Sequence, residues 1–265
     1  MQMHLQQGVA RVQSYMEVVS RVVLAFVLAL AGGAISAVAA ISHRRLCDMI
    51  SFAAGTLLGV TLFSLLPEIS QNLAVPHVLI GLGSGYLVFM LISRYVFHVC
   101  PACAASHFDE ATTHRFNEIA SAMIIALGLH STLDGIAVVL GEGPKMASGF
   151  ELSLLVAICV HKVPEGLALC ALLLAAGLPR GTALLWVAAV ESTTLLGGAI
   201  GIWIAPQGIW LDMILAHVGG GFVFLAIHAV FGELSRHNSK RVYASFSAGI
   251  LLIGALDLVL HHYLR

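Results

Sequence analysis

Eight apolar stretches of about 20 residues, separated by short polar connectors, leave this chain few ways to fold. Backbone N–H and C=O groups inside a bilayer must pair internally, so only helices or closed barrels cross it. Strand-like alternation of polar and apolar residues is absent, which leaves helices. The expected spans are 18–42, 48–68, 75–98, 117–140, 150–176, 181–205, 209–232 and 242–263. The connector at 99–116 is the longest. The expected fold is an all-α membrane protein with one polytopic domain over residues 1–265. Composition agrees: 59% of residues are hydrophobic and 10% charged, against roughly 25% charged in soluble domains. A net charge of -1 offers no basic face for nucleic acid. Arg11, Glu17 and Arg21 interrupt the N-terminal segment, so it does not read as a cleaved signal peptide.

Lysine and arginine give a direction, because cytoplasmic connectors collect positive charge. With the N-terminus outside, the inner connectors hold Arg44, Arg45, Arg94, Arg115, Arg180, Arg236, Lys240 and Arg241. The outer segments hold Arg11, Arg21, Lys145 and Arg265. Both termini are therefore expected outside the cytoplasm, in a multi-pass cell-membrane protein (the inner membrane in a Gram-negative bacterium). Glycines at 81, 83, 85, 197, 198 and 219–221 are expected to let backbones approach closely.

Ionisable residues at bilayer depth are costly and mark functional sites. Two segments carry them as pairs: His130-Ser131-Thr132-Leu133-Asp134-Gly135 in the fourth span and His161-Lys162-Val163-Pro164-Glu165-Gly166 in the fifth. Each puts a histidine and a carboxylate at i and i+4, on one helical face. Facing each other, the two helices would present two imidazoles and two carboxylates to one point. That donor set suits zinc and also accepts cadmium, iron or manganese. Pro164 removes an amide donor and frees the Val160 carbonyl, which bends the helix beside these residues. Glu191 adds a carboxylate at similar depth in the sixth span; pairing with Lys162 is its structural alternative.

The paired motifs resemble those of the ZIP (Zrt/Irt-like protein) metal transporters. That family has a His-Asn-x-x-(Asp/Glu)-Gly motif in its fourth span and a His/Gln-x-x-Pro-Glu/His type motif in its fifth. The resemblance extends to eight spans, outside termini and a longer cytoplasmic connector after the third span. It implies His130, Asp134, His161 and Glu165 as ligands of the transport site and Glu191 as the sixth-span carboxylate near a second site. It also implies an elevator-like motion of spans one, four, five and six against the rest. Ser131 stands where the family often has asparagine, and Lys162 where some members have an acidic ligand. Both weaken a second metal site, and a lysine ammonium fills it instead.

Other residues fall along the route this implies. Ser64, Glu68 and Asp257 lie toward the outer ends of the second and eighth spans, on an extracellular approach. His228 and Glu233 lie in the inner part of the seventh span, on a release path; a carbonyl that satisfies His228 is an equal account of it. The long connector holds Cys100, Cys103, His107 and His114, which have metal-ligand spacing. Metal capture there and an ordinary loop are evenly matched. The expected function is divalent metal transport, zinc uptake first, with the metal as bound substrate, no resident cofactor and no enzymatic activity. The expected partners are the ion and the bilayer, and a homodimer is left open. A membrane metallohydrolase lacks its His-Glu-x-x-His, a sensor would bind metal without flux, and a cation-diffusion exporter would carry a soluble C-terminal domain.

Overall fold

The computed structural model describes the backbone of residues 2–39, 43–93, 113–142, 149–204, 208–234 and 239–263. Within these it describes the side chains of all but 2–14, 43, 46, 113–123, 175, 231–234 and 239. The described residues are helical almost throughout and contain no strand. In chain order the helices are α1 (Gln2–Val38), α2 (His43–Val60), α3 (Leu66–Asn72), α4 (Val75–Leu91), α5 (Thr113–Leu140), α6 (Phe150–Ala175), α7 (Arg180–Glu191), α8 (Thr193–Ile204), α9 (Ile209–Leu234) and α10 (Ser239–Tyr263). They make the eight expected spans, with α2–α3 and α7–α8 each forming one. Six spans are long and apolar enough to cross a membrane, and Val75–Leu91 and Ile124–Leu140 are shorter apolar helices. Trp203 and Trp210, 85% and 70% exposed, flank the α8–α9 connector, where amphipathic rings sit at a membrane interface.

Three boundaries differ from the sequence expectation. α1 begins at Gln2, well ahead of its apolar segment. The second span runs on to Asn72 and contains a π-helical turn, Thr61–Leu65. Pro67 is the cause: its ring crowds the carbonyl four residues back. The ladder widens, and the Leu66 amide donates to Thr61, five residues back. The sixth span breaks at Ser192, where hydroxyls compete for backbone carbonyls. Ser192 Oγ donates to the Ala189 carbonyl at 2.7 Å, and Thr193 Oγ1 lies 2.8 Å from those of Val190 and Gly128.

Four helix pairs pack most closely: α1 with α6, α2 with α10, α4 with α9, and α5 with α8. Glycine makes each crossing possible from both sides. A Cβ at Gly32 would collide with the Val163 carbonyl, and one at Gly166 with the Ala29 carbonyl. The same reciprocal arrangement joins Gly135 to Thr194 and Gly197 to Thr132. Two four-span groups follow: spans one, four, five and six, and spans two, three, seven and eight. Every crowded glycine among the described residues meets a neighbour in its own group. The main bridge between groups is α2 against α6. Replacing Gly166 with valine is expected to abolish recovery of folded, monodisperse protein, because neither backbone can retreat; size-exclusion chromatography of the purified variant checks this.

α2 and α10 run parallel. Arg241 pairs with Asp48 near one end, and Ser64 Oγ donates to Asp257 Oδ1 at 3.1 Å near the other. Both contacts have the same sequence offset of 193 residues. The two contacts are sixteen residue steps apart along each span, about 24 Å at 1.5 Å per residue, a little less than the hydrocarbon core.

Candidate metal centre

α5 and α6 bring the two sequence motifs together. The donor atoms of His130, Asp134, His161 and Glu165 lie within 4.8 Å of one another, and all four residues are buried. The imidazole rings stand 5.3 Å apart. Asp134 is the hub: its Oδ2 lies 3.1 Å from His161 Nε2 and 3.5 Å from His130 Nε2.

Helix packing explains the glycine that follows each carboxylate. Gly135, after Asp134, receives the Thr194 carbonyl of α8; Gly166, after Glu165, receives the Ala29 carbonyl of α1. A neighbouring backbone thus presses on each carboxylate-bearing turn from behind. Ordinary helix packing accounts for these glycines, and the packing also positions the carboxylates.

The tautomer of His161 follows from its surroundings. Its Nδ1 lies 2.9 Å from the Ala157 carbonyl, which can only accept, so Nδ1 carries the hydrogen. Nε2 then turns its lone pair toward a carboxylate oxygen. Facing lone pairs at that distance call for a cation, a proton or a metal ion, beside them. A histidine whose other nitrogen donates to a carbonyl is also the usual form of a metal ligand. His130 Nδ1 and Asp134 Oδ1 are buried with no protein partner, and buried polar atoms in that condition need an account.

Lys162 lies at the centre of the negative charge. It is fully buried, and its Nζ is 2.9 Å from Asp134 Oδ2, 2.8 Å from Glu165 Oε2 and 3.1 Å from Glu191 Oε2. It also donates to Ser131 Oγ at 2.7 Å. Ser131 Oγ in turn lies 3.1 Å from Glu165 Oε1 and 3.2 Å from Glu191 Oε2. Glu191 stands apart from the four-donor group: its Oε2 is taken up by Lys162 and Ser131, while Oε1 is buried without a partner. Three carboxylates around one ammonium leave two negative charges, which one divalent cation neutralises.

Sequence reasoning did not find the aromatic wall. Phe222 of α9, 1% exposed, stands edge-on to both imidazoles, at 6.2 Å from His130 and 6.3 Å from His161. Phe89 of α4 stands edge-on to His130 at 6.4 Å. Both rings come from the other four-span group, and no periodicity in α4 or α9 singles them out. A crevice lined by Phe89, Ile92, Ser93, Ala126, Leu127, His130, Phe224 and Leu225 reaches His130 between α4, α5 and α9.

The remaining candidates whose side chains are described do not join the four-donor group. Ser64 and Asp257 bond to each other, and Glu68 is buried with a partner of its own. His228 has Nδ1 3.0 Å from the Phe224 carbonyl and stacks on the Phe224 ring at 3.8 Å. Cys100, Cys103 and His107 lie outside the described residues, as do the side chains of His114 and Glu233.

A model of the ZIP zinc transporter family matches residues 100–261, more than half of the chain. The chain belongs to the ZIP zinc transporter family. It is a multi-pass membrane protein of a family that transports divalent metal ions, and its buried His/Asp/Glu cluster fits a metal site. The match includes both paired motifs, Glu191 and spans four to eight.

Proposed function

We propose that this ZIP protein carries zinc into the cytoplasm, one ion at a time, through a site built from His130, Asp134, His161 and Glu165. The observation that carries this reading is the convergence of the four buried donor atoms within 4.8 Å. Two imidazoles and two carboxylates match zinc coordination, and the metal is cargo rather than a resident cofactor. Glu191 and Lys162 set the charge around the site, Ser64, Glu68 and Asp257 mark the outer approach, and His228 and Glu233 mark the inner release path. The termini lie outside, and Cys100, Cys103, His107 and His114 belong to a cytoplasmic connector of the single membrane domain.

Alternating exposure of a midplane site is how secondary transporters work. The two glycine-locked four-span groups support it as rigid bodies. All four donors belong to one group, and the rings of Phe89 and Phe222 that cover them belong to the other. The crevice reaching His130 is the expected way out.

Proteoliposome uptake with zinc, cadmium, iron and manganese in competition tests the function. Saturable zinc accumulation is expected; binding without flux would identify a sensor, and lipid or peptide cleavage an enzyme. Flux without a proton gradient should fall as external pH drops below about 6, because protons compete with the metal for imidazoles that must be neutral to bind it. Faster zinc uptake at pH 5 than at pH 7 would contradict the assignment of His130 and His161.

A further inference from the structure

The first turns of α2 and α10 lie side by side at one face of the bundle, as the Arg241–Asp48 pair requires. Arg44 and Arg45 on α2, and Lys240 and Arg241 on α10, are all exposed. Asp48 takes up Arg241; Arg44 lies one turn from Asp48 on the same helical face. Helix stability does not account for these cations, because positive charge in a first turn opposes the helix dipole. Setting the chain's orientation does not account for their grouping either, since that requires only positive charge in a connector. Here tertiary packing brings Arg241 of α10 against Asp48 of α2, one helical turn from Arg44 and Arg45.

The surroundings belong to the lipid boundary. α10 buries only 17% of its membrane window, the smallest share of the six long spans. Tyr243, 54% exposed, stands near the basic pair, and tyrosine favours the headgroup level. Farther along α10, Leu251 and Leu258 are 69% and 73% exposed and offer apolar surface to acyl chains.

We propose that Arg44, Arg45, Lys240 and Arg241 form a binding site for the phosphate headgroup of an acidic phospholipid. Guanidinium groups bind phosphate oxygens in pairs, and basic sites between membrane helices suit anionic headgroups. A choline headgroup brings its own cation next to these residues and binds less well. The site joins α2 to α10 within one four-span group, away from the metal centre, so flux per inserted molecule in neutral lipid does not depend on it.

The test is native mass spectrometry of the purified full-length protein with equimolar phosphatidylglycerol and phosphatidylcholine. The wild type is expected to retain phosphatidylglycerol at least about tenfold more strongly, and the Arg44→Gln/Arg45→Gln/Lys240→Gln variant to lose this retention by about a hundredfold. Arg241 is left in place because it pairs with Asp48. Arg44→Lys/Arg45→Lys should keep the preference. Equal retention of both lipids by the wild type, or unchanged phosphatidylglycerol retention in the glutamine variant, overturns the proposal. Displacement of bound lipid by millimolar glycerol phosphate overturns it too, by identifying a site for small anions. A glutamine variant that also loses its phosphatidylcholine adducts has misfolded. Arg45→Gln alone then decides, with a several-fold loss expected and unchanged retention overturning the proposal.

Discussion

Alanine at any one of His130, Asp134, His161 or Glu165 is expected to lower zinc flux by at least about a hundredfold, in protein that still reaches the membrane. The size follows from metal-site energetics: losing an outer-shell partner already costs about 10–100-fold in affinity, and these residues are proposed as ligands themselves. The four substitutions should differ in their side effects. Asp134 is the hub, with both imidazoles and the Lys162 ammonium around Oδ2. Its replacement should therefore also reduce stability, whereas His130→Ala removes a ring whose Nδ1 has no protein partner. Radiolabelled zinc uptake, normalised to surface protein, and zinc affinity by isothermal titration are the measurements. Normal transport by His161→Ala or Glu165→Ala would remove the fifth span from the site.

Replacing Lys162 with aspartate should convert a one-metal centre into a two-metal one. In the wild type, the ammonium touches Asp134, Glu165, Glu191 and Ser131, the oxygens a second cation would need. Its fixed charge repels that cation, and a lysine unpaired at bilayer depth would cost roughly 2.5–3.5 kcal/mol on insertion scales, so the lysine stays paired. The charges reach the same result: three carboxylates and one ammonium are neutralised by one divalent ion, four carboxylates by two. Titration of the wild type, with the connector's cysteines and histidines replaced, should show one high-affinity metal per chain. Lys162→Asp should show a second event. Two centrally bound metals in the wild type would refute the assignment.

The structure adds one contact to those expected of Lys162. From the sequence, the lysine falls one turn from Glu165 and within reach of Glu191, and both contacts are present. Its contact with Asp134 was not legible, because it depends on the rotation of α6 relative to α5. Glu191 enters the candidate site through its depth and the family resemblance, with pairing to Lys162 as its structural alternative. Depth follows from position along a helix, but which neighbour claims a carboxylate depends on the opposite face, where Ser131 and Lys162 reach it first. Phe222 escaped notice for a similar reason. It is one more apolar residue in an apolar helix until α9 turns it edge-on to two imidazoles.

Lipid as the solvent, helical secondary structure and the pairing of each histidine with a carboxylate are legible in the sequence alone. Lipid demands helices, helix length is set by bilayer thickness, and i, i+4 spacing puts a histidine and a carboxylate on one face regardless of what packs against it. These are local rules, readable within one span. The tertiary structure decided what depends on two or more spans together: the four glycine-matched helix pairs, the π-turn contact from Ser64 to Asp257, the ammonium among three carboxylates and the aromatic cover. In a membrane every helix is apolar on most faces, so hydrophobic periodicity carries little information about which face meets which neighbour. That choice rests on close backbone approach and a few buried polar contacts, and these appear only when the helices are assembled.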